Sequence, residues 1–175
     1  MKRKTAATKK PVAKKMAAPK KKAVKPIPDG YHAVTPYLSL RDASRAIDFY
    51  AKAFGARLTL RMDAPGGKIG HAEMKIGDSI VMLADESPEM EFMSPLEHGG
   101  TSVLLHLYVK DVDKTVANAA AAGARIIRPV VDQFYGDRAG GIQDPFGHRW
   151  YIATHKEELT KAQIKRRMDE SMKPK

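Results

Sequence analysis

Two imidazoles, one carboxylate and a set of phenols are the side chains of this sequence best suited to chemistry. His71 and Glu73 stand two apart in the run GHAEMKI, whose alternation reads as a strand, so both point to one face. His106 and Tyr108 have the same relation in LLHLYV. Two imidazoles and a carboxylate suffice to hold a divalent ion or to move a proton. The ordinary structural reading of the same residues is a half-exposed sheet surface, hydrogen-bonded to itself. Tyr37, Tyr135 and Tyr151 add phenols in or beside other strand-like runs. Arg138, next to Asp137, can clamp a carboxylate or phosphate with its planar fork, or brace a turn with Asp137. Tyr37, His71, Glu73, His106, Tyr108, Tyr135, Arg138 and Tyr151 are therefore the candidate ligand-binding residues.

The elements that would position them repeat. Residues 33–40 (AVTPYLSL) read as a strand, with Pro36 placing it at an edge or bulge. Asp42 or Ser44 can cap a helix whose apolar stripe is Ala46, Ile47, Phe49, Tyr50 and Phe54, and Gly55 stops it. Strands are expected at 57–62, 70–76 and 79–84, separated by Pro65-Gly66-Gly67 and Gly77-Asp78. The same β-α-β-β-β order then returns: strand 104–109, an Ala-rich helix 111–122 closed by Gly123, and strands 125–131, 136–143 and 149–153. Leu40-Arg41-Asp42 matches Val109-Lys110-Asp111, and Gly55-Ala56-Arg57 matches Gly123-Ala124-Arg125, at offsets of 69 and 68. This is the mark of a duplicated unit. Modules 30–86 and 101–155 make up the body, and the Pro- and Gly-bearing segment between them is a linker.

The stretch DPFGHRWYIATH, from Asp144 to His155, combines turn chemistry with an aromatic, β-branched strand. His148 is expected to be exposed after the turn, Trp150 to lie in the core or a cleft wall, and His155 to cap the helix behind it. That helix, in 156–175, carries a capping box at Thr160-Lys161-Ala162-Gln163. Ile164 and Met168 share one of its faces and should pack on the body or on a partner subunit.

Charge is unevenly spread. Residues 1–30 carry ten Lys and one Arg against one acid, Asp29, whereas the other 145 residues balance 20 basic with 19 acidic groups. Residues 1–29, with Pro11, Pro19, Pro26 and Pro28 among like charges, read as a disordered tail. Its lysines between Lys2 and Lys25 could contact nucleic acid non-specifically through phosphates, or simply keep the protein soluble. The absence of cysteine excludes disulfides and thiol nucleophiles and fits a reducing cytosol, so a cytoplasmic location is expected. No 18-residue apolar run exists, so no membrane partner is expected.

Two such modules resemble the vicinal oxygen chelate (glyoxalase/bleomycin resistance/dioxygenase) superfamily, in particular its PhnB-like branch. The resemblance rests on Thr35-Pro36-Tyr37-Leu38, Phe49-Tyr50, Phe54-Gly55, Gly70-His71-Ala72-Glu73, Tyr135-Gly136-Asp137-Arg138 and the Asp144-to-His155 stretch. It implies an α+β fold in which tandem β-α-β-β-β modules form a curved mixed sheet around a cleft, completed in a homodimer. In metal-dependent members four inward side chains hold a divalent ion that binds substrate oxygens. The resemblance assigns those positions here to Thr35, Val81 or Met82, Leu104 and Tyr151, none a good ligand for such an ion. The expected function is thus binding of a small organic molecule in the cleft, with no cofactor. A metal-dependent lyase, isomerase or dioxygenase using His71, Glu73 and His106, or a nucleic-acid-associated protein acting through the tail, are the alternatives.

Removing residues 1–25 takes away the whole formal net charge of +11 and no plausible core residue. The melting temperature should move by no more than about two degrees, since few ordered contacts are lost. Any duplex DNA binding should disappear with the tail and, in the intact protein, fall steeply with salt. A salt titration of both chains checks this; a truncated body that bound DNA as tightly as the whole would refute it.

Overall fold

The computed structural model describes residues 24–173. Of the tail read over 1–29, residues 1–23 lie outside the described residues, as do 174 and 175. The chain runs β1 (Tyr37–Leu40), α1 (Ala43–Phe54), β2 (Arg57–Asp63), β3 (Ile69–Ile76) and β4 (Ser79–Asp85). It continues β5 (Leu104–Tyr108), α2 (Val112–Ala121), β6 (Arg125–Asp132), β7 (Asp137–Gln143), β8 (Arg149–His155) and α3 (Lys161–Ser171). Each module folds into one four-stranded mixed sheet, ordered β1-β4-β3-β2 and β5-β8-β7-β6. The first strand of each module pairs in parallel with the last, and the remaining pairs are antiparallel.

The pairing makes the duplication exact enough to number. Tyr37 lies opposite Met82 and His106 opposite Tyr151, both partners offset by 69. β1 is shorter than its sequence run because Pro36, without an N–H, joins the ladder only by accepting a bond from Met82 N at 2.9 Å. Each helix start is tied to the end of its module's last strand. Ala43 N donates to Asp85 Oδ1 at 2.9 Å, and Val112 N to Thr154 Oγ1 at 2.9 Å. Asp42 and Asp111 cap the two helices.

α1 buries Ala43, Ala46, Ile47, Phe49, Tyr50 and Ala53, one face at helical spacing. It packs on its own sheet and against α2, so one core spans both modules. The centre of that core is aromatic: Phe54 meets Trp150 at 4.8 Å between ring centroids, Tyr50 meets Trp150 at 5.6 Å, and Phe49 meets Phe146 at 6.1 Å. Such pairs are each worth about 0.5–1.5 kcal/mol beyond burial. Trp150 is thus core.

The turn between β7 and β8 holds the modules together. Asp144, 4% exposed, accepts four hydrogen bonds. Phe146 N and His148 N donate to Oδ1 at 3.0 and 2.9 Å, closing the turn locally. Tyr50 Oη and Trp150 Nε1 donate to Oδ2 at 2.8 and 3.0 Å. Burial, and after it the Asp144 charge, holds the Tyr50 phenol well above its ordinary pKa.

Two expectations at this end of the body are corrected. His148 is buried, not exposed: the linker residues Pro95 and Leu96 cover the turn, and its Nε2–H donates to the Ser39 carbonyl at 3.1 Å. His155 does not cap α3; Thr160 does, in the expected capping box with Gln163. Within this chain α3 buries none of its residues: Ile164 is half-buried and Met168 exposed, so the body supplies at most part of their expected cover. No helix among the described residues is long and apolar enough to cross a membrane.

Asp144→Ala should destabilise the protein by about 3 kcal/mol or more, because buried donors on Tyr50 and Trp150 lose their acceptor. Tyr50→Phe should cost less, about 1–3 kcal/mol, as it removes one donor and keeps the ring. Urea unfolding of both variants tests the order; an Asp144→Ala protein as stable as Tyr50→Phe would show that the carboxylate is not the common acceptor.

Candidate functional site

Each sheet has a face covered by helices and an open face, and directly paired residues share a face. On the open face of the second sheet one row runs Arg128, Gly141, Tyr151, His106 across β6, β7, β8 and β5. The matching row of the first sheet is Leu60, Glu73, Met82, Tyr37. Seven of the eight candidate residues lie on or beside these two open faces. The duplicated backbone presents them at equivalent places, but the two faces are chemically different.

The first face is a closed network. Tyr37 Oη lies 2.8 Å from His71 Nδ1, and His71 Nε2 lies 3.3 Å from Glu73 Oε1. Tyr31, which precedes β1, donates its hydroxyl to the other oxygen of Glu73. Because the carboxylate can only accept, His71 carries its proton on Nε2 and accepts from Tyr37 on Nδ1. The bond to Glu73 raises the pKa of the Tyr31 phenol, and partial burial raises that of Tyr37. Tyr31 was not singled out by sequence; only its contact with a strand 42 residues later gives it a role.

The second face is partly open. Asp137, 4% exposed, accepts from Tyr108 Oη at 3.0 Å and from His155 Nδ1 at 2.7 Å. The Tyr135 and Tyr151 hydroxyls meet at 3.2 Å. Gly136 sets the loop that carries Tyr135: its φ is +98°, and a Cβ there would lie 2.5 Å from the Glu157 carbonyl oxygen. Burial first, and the bond to Tyr151 second, hold the Tyr135 phenol well above its ordinary pKa. The hydrogen bond to Asp137 raises Tyr108. His106 lies between two rings, 4.7 Å from Tyr108 and 5.4 Å from Tyr151. Among the described residues its ring nitrogens have no hydrogen-bond partner.

Arg138 is the exception. It alternates onto the helix-covered side of β7, where Nε and Nη2 donate to Asp113 of α2 at 2.7 and 2.8 Å, with Asp132 at 3.2 Å from Nη1. It braces α2 against the sheet and does not face the cleft. Its partners are Asp113 and Asp132, where sequence had suggested Asp137.

The metal assignments can be tested on the donors present. Thr35 bonds its hydroxyl to the His32 carbonyl, Leu104 is an alkyl group, Met82 offers a thioether, and Tyr151 is engaged with Tyr135. This set does not fit a divalent cation. Nor does the relocated set come together: His71 and Glu73 belong to the first face and His106 to the second. Among the described residues no three His, Asp or Glu side chains are grouped to hold a metal.

A family model described as Glyoxalase/Bleomycin resistance protein/Dioxygenase superfamily matches residues 32–152. An uncharacterized protein of Mycobacterium tuberculosis is 42% identical over 139 residues, 78% of this chain and 82% of that one. Among solved structures, TioX from Micromonospora sp. ML1 is 33% identical with a TM-score of 0.56, over 69% of this chain and 96% of its own. A PhnB protein from Bacillus cereus shares the fold, with a TM-score of 0.53 and 18% identity over 70% of this chain and 99% of its own.

His155 allows a pH test. The Asp137 hydrogen bond, with the Glu158 charge at 3.3 Å, lifts its imidazole above the ordinary 6.5. A raised folded value stabilises the protein below the unfolded value, and that stability is lost as pH rises through the folded one. Relative to His155→Gln, the native protein should therefore be more stable at about pH 5.5 and lose that advantage upward from about pH 6.5. Urea unfolding of both across this range checks it; a constant difference would show that the His155 charge is not coupled to folding.

Proposed function

Because this chain belongs to the Glyoxalase/Bleomycin resistance protein/Dioxygenase superfamily, we propose that it binds a small organic molecule on the open face of its second module. One observation carries the reading. At equivalent places the first module satisfies its polar groups internally, while the second leaves exposed His106 without a hydrogen-bond partner among the described residues, between the Tyr108 and Tyr151 rings. Such a group invites a ligand with a flat portion to lie on the phenols and a polar atom to meet the imidazole. Tyr135 and Tyr151 supply further hydroxyls. No metal step enters this function, since the donor set does not fit one.

A second copy of the chain completes the cleft. Leu60, Met62, Leu104 and Tyr108 lie on the two open faces and are between 41 and 61% exposed. An apolar surface of that kind, shared between two faces of one chain, suits a homodimer in which one subunit's first module covers the other's second.

Saturation-transfer NMR with a panel of neutral aromatic and heteroaromatic fragments, including phenol and quinoline, tests the reading. Bound fragments should lose signal in His106→Ala and Tyr151→Ala, each by about tenfold in affinity if the stack is the contact. Sedimentation of the wild type should give a dimer, and Met62→Glu should weaken it. Fragments binding equally to all variants would refute the site.

A further inference from the structure

We infer that the rim of the second open face is an anion site, built by Arg125, Arg128 and Arg149, that takes the phosphate or carboxylate group of the ligand. This rests on the reading that the second face holds a small organic molecule, and it adds the ligand's charge. The three arginines line a cavity of about 410 Å³ together with Thr101, Ser102 and Tyr151, and no acidic residue lines it. Elsewhere several arginines meet acids: Arg41 pairs with Glu97, Arg61 with Asp63, Arg138 with Asp113, and Arg167 with Glu157, whereas Arg57 has no acidic partner among the described residues and Arg45 lies over the Phe146 ring. In this cavity Arg125 donates only to the neutral Gln143, at 2.6 Å. Arg128 and Arg149 have no acidic partner among the described residues.

The backbone brings the three together. Arg125 lies opposite Gln143, and Arg149 lies opposite the same residue from the other side. Arg125 and Arg128 are three apart, which in a regular strand would put them on opposite faces. A bulge at Ile127 shifts the register, so Arg128 lands opposite Gly141, on the same face as Arg125. Gly141 then leaves room for it: a Cβ there would lie 3.3 Å from Arg128 Cβ. The equivalent position in the first sheet carries Glu73. Three like charges this close repel one another, and an anion with several acceptor oxygens relieves that repulsion while taking bidentate hydrogen bonds. Ser102 and Tyr151 add hydroxyl donors. The anion would sit beside Tyr151, next to the row that ends at His106, so the rest of the molecule can lie over the phenols.

Calorimetric titration of the full chain at low ionic strength with phenyl phosphate, benzoate and neutral phenol tests this. Phenyl phosphate or benzoate should bind at least about tenfold more tightly than phenol, and the tighter of the two names the group. Arg128→Ala and Arg149→Ala should each lower that affinity about tenfold or more, while phenol binding stays as it was. The double Lys variant keeps the charge without the fork and should fall between. These side chains are exposed, so folding should survive, and unchanged melting temperatures would establish that. Anion binding no tighter than phenol, or undiminished in the double Ala variant, overturns the anion site. So does dissociation of a dimer by these variants without any anion binding, which would make the arginines subunit contacts. His106→Ala separates the two readings. If phenol binding needs His106 but the arginines are silent, the cleft stands and the anion site falls. If the anions need the arginines and His106→Ala changes nothing, the anion site stands and the cleft reading falls.

Discussion

A buried carboxylate costs several kcal/mol unless its lone pairs are satisfied. Asp144 meets that constraint with two donors from its own turn and two from the surrounding core. Three of the four belong to the second module; the fourth, Tyr50, comes from α1 of the first. The requirement therefore fixes more than a turn. It sets α1 against the start of β8, and the aromatic rings of Phe49, Tyr50, Phe54, Phe146 and Trp150 close around that contact. With the helices packed inward, both sheets have to turn their other faces outward. The location of the two open faces follows from a hydrogen-bonding demand in the core.

Duplication then lets one backbone carry two chemistries. The rows Leu60, Glu73, Met82, Tyr37 and Arg128, Gly141, Tyr151, His106 occupy the same places in their sheets. In the first, an acid beside an imidazole and two phenols gives a network whose members satisfy each other. In the second, glycine replaces the acid, and that one difference removes a carboxylate that would pair with Arg128 and the bulk that would crowd it. The result is a face that carries cationic and aromatic groups.

Much of this was legible in contiguous residues. The repeated β-α-β-β-β order, the caps at Asp42 and Thr160, and the edge position of the Pro36 strand all come from periodicity and turn chemistry, which are local. Period-2 alternation also paired His71 with Glu73 and His106 with Tyr108 on their faces.

What local spacing could not carry was the partner of each side chain. His148 follows a turn that would be exposed in isolation, and is buried because Pro95 and Leu96 fold back over it. Arg138 adjoins Asp137 in sequence but alternates to the other face, where α2 supplies Asp113. Tyr31 and Glu73 are far apart along the chain, and Arg125 and Arg128 share a face only through a bulge. The sequence by itself determined the modules, their order and which strands carry polar groups. Tertiary structure alone decided which groups meet, because register, bulges and core packing join residues that no nearest-neighbour pattern relates.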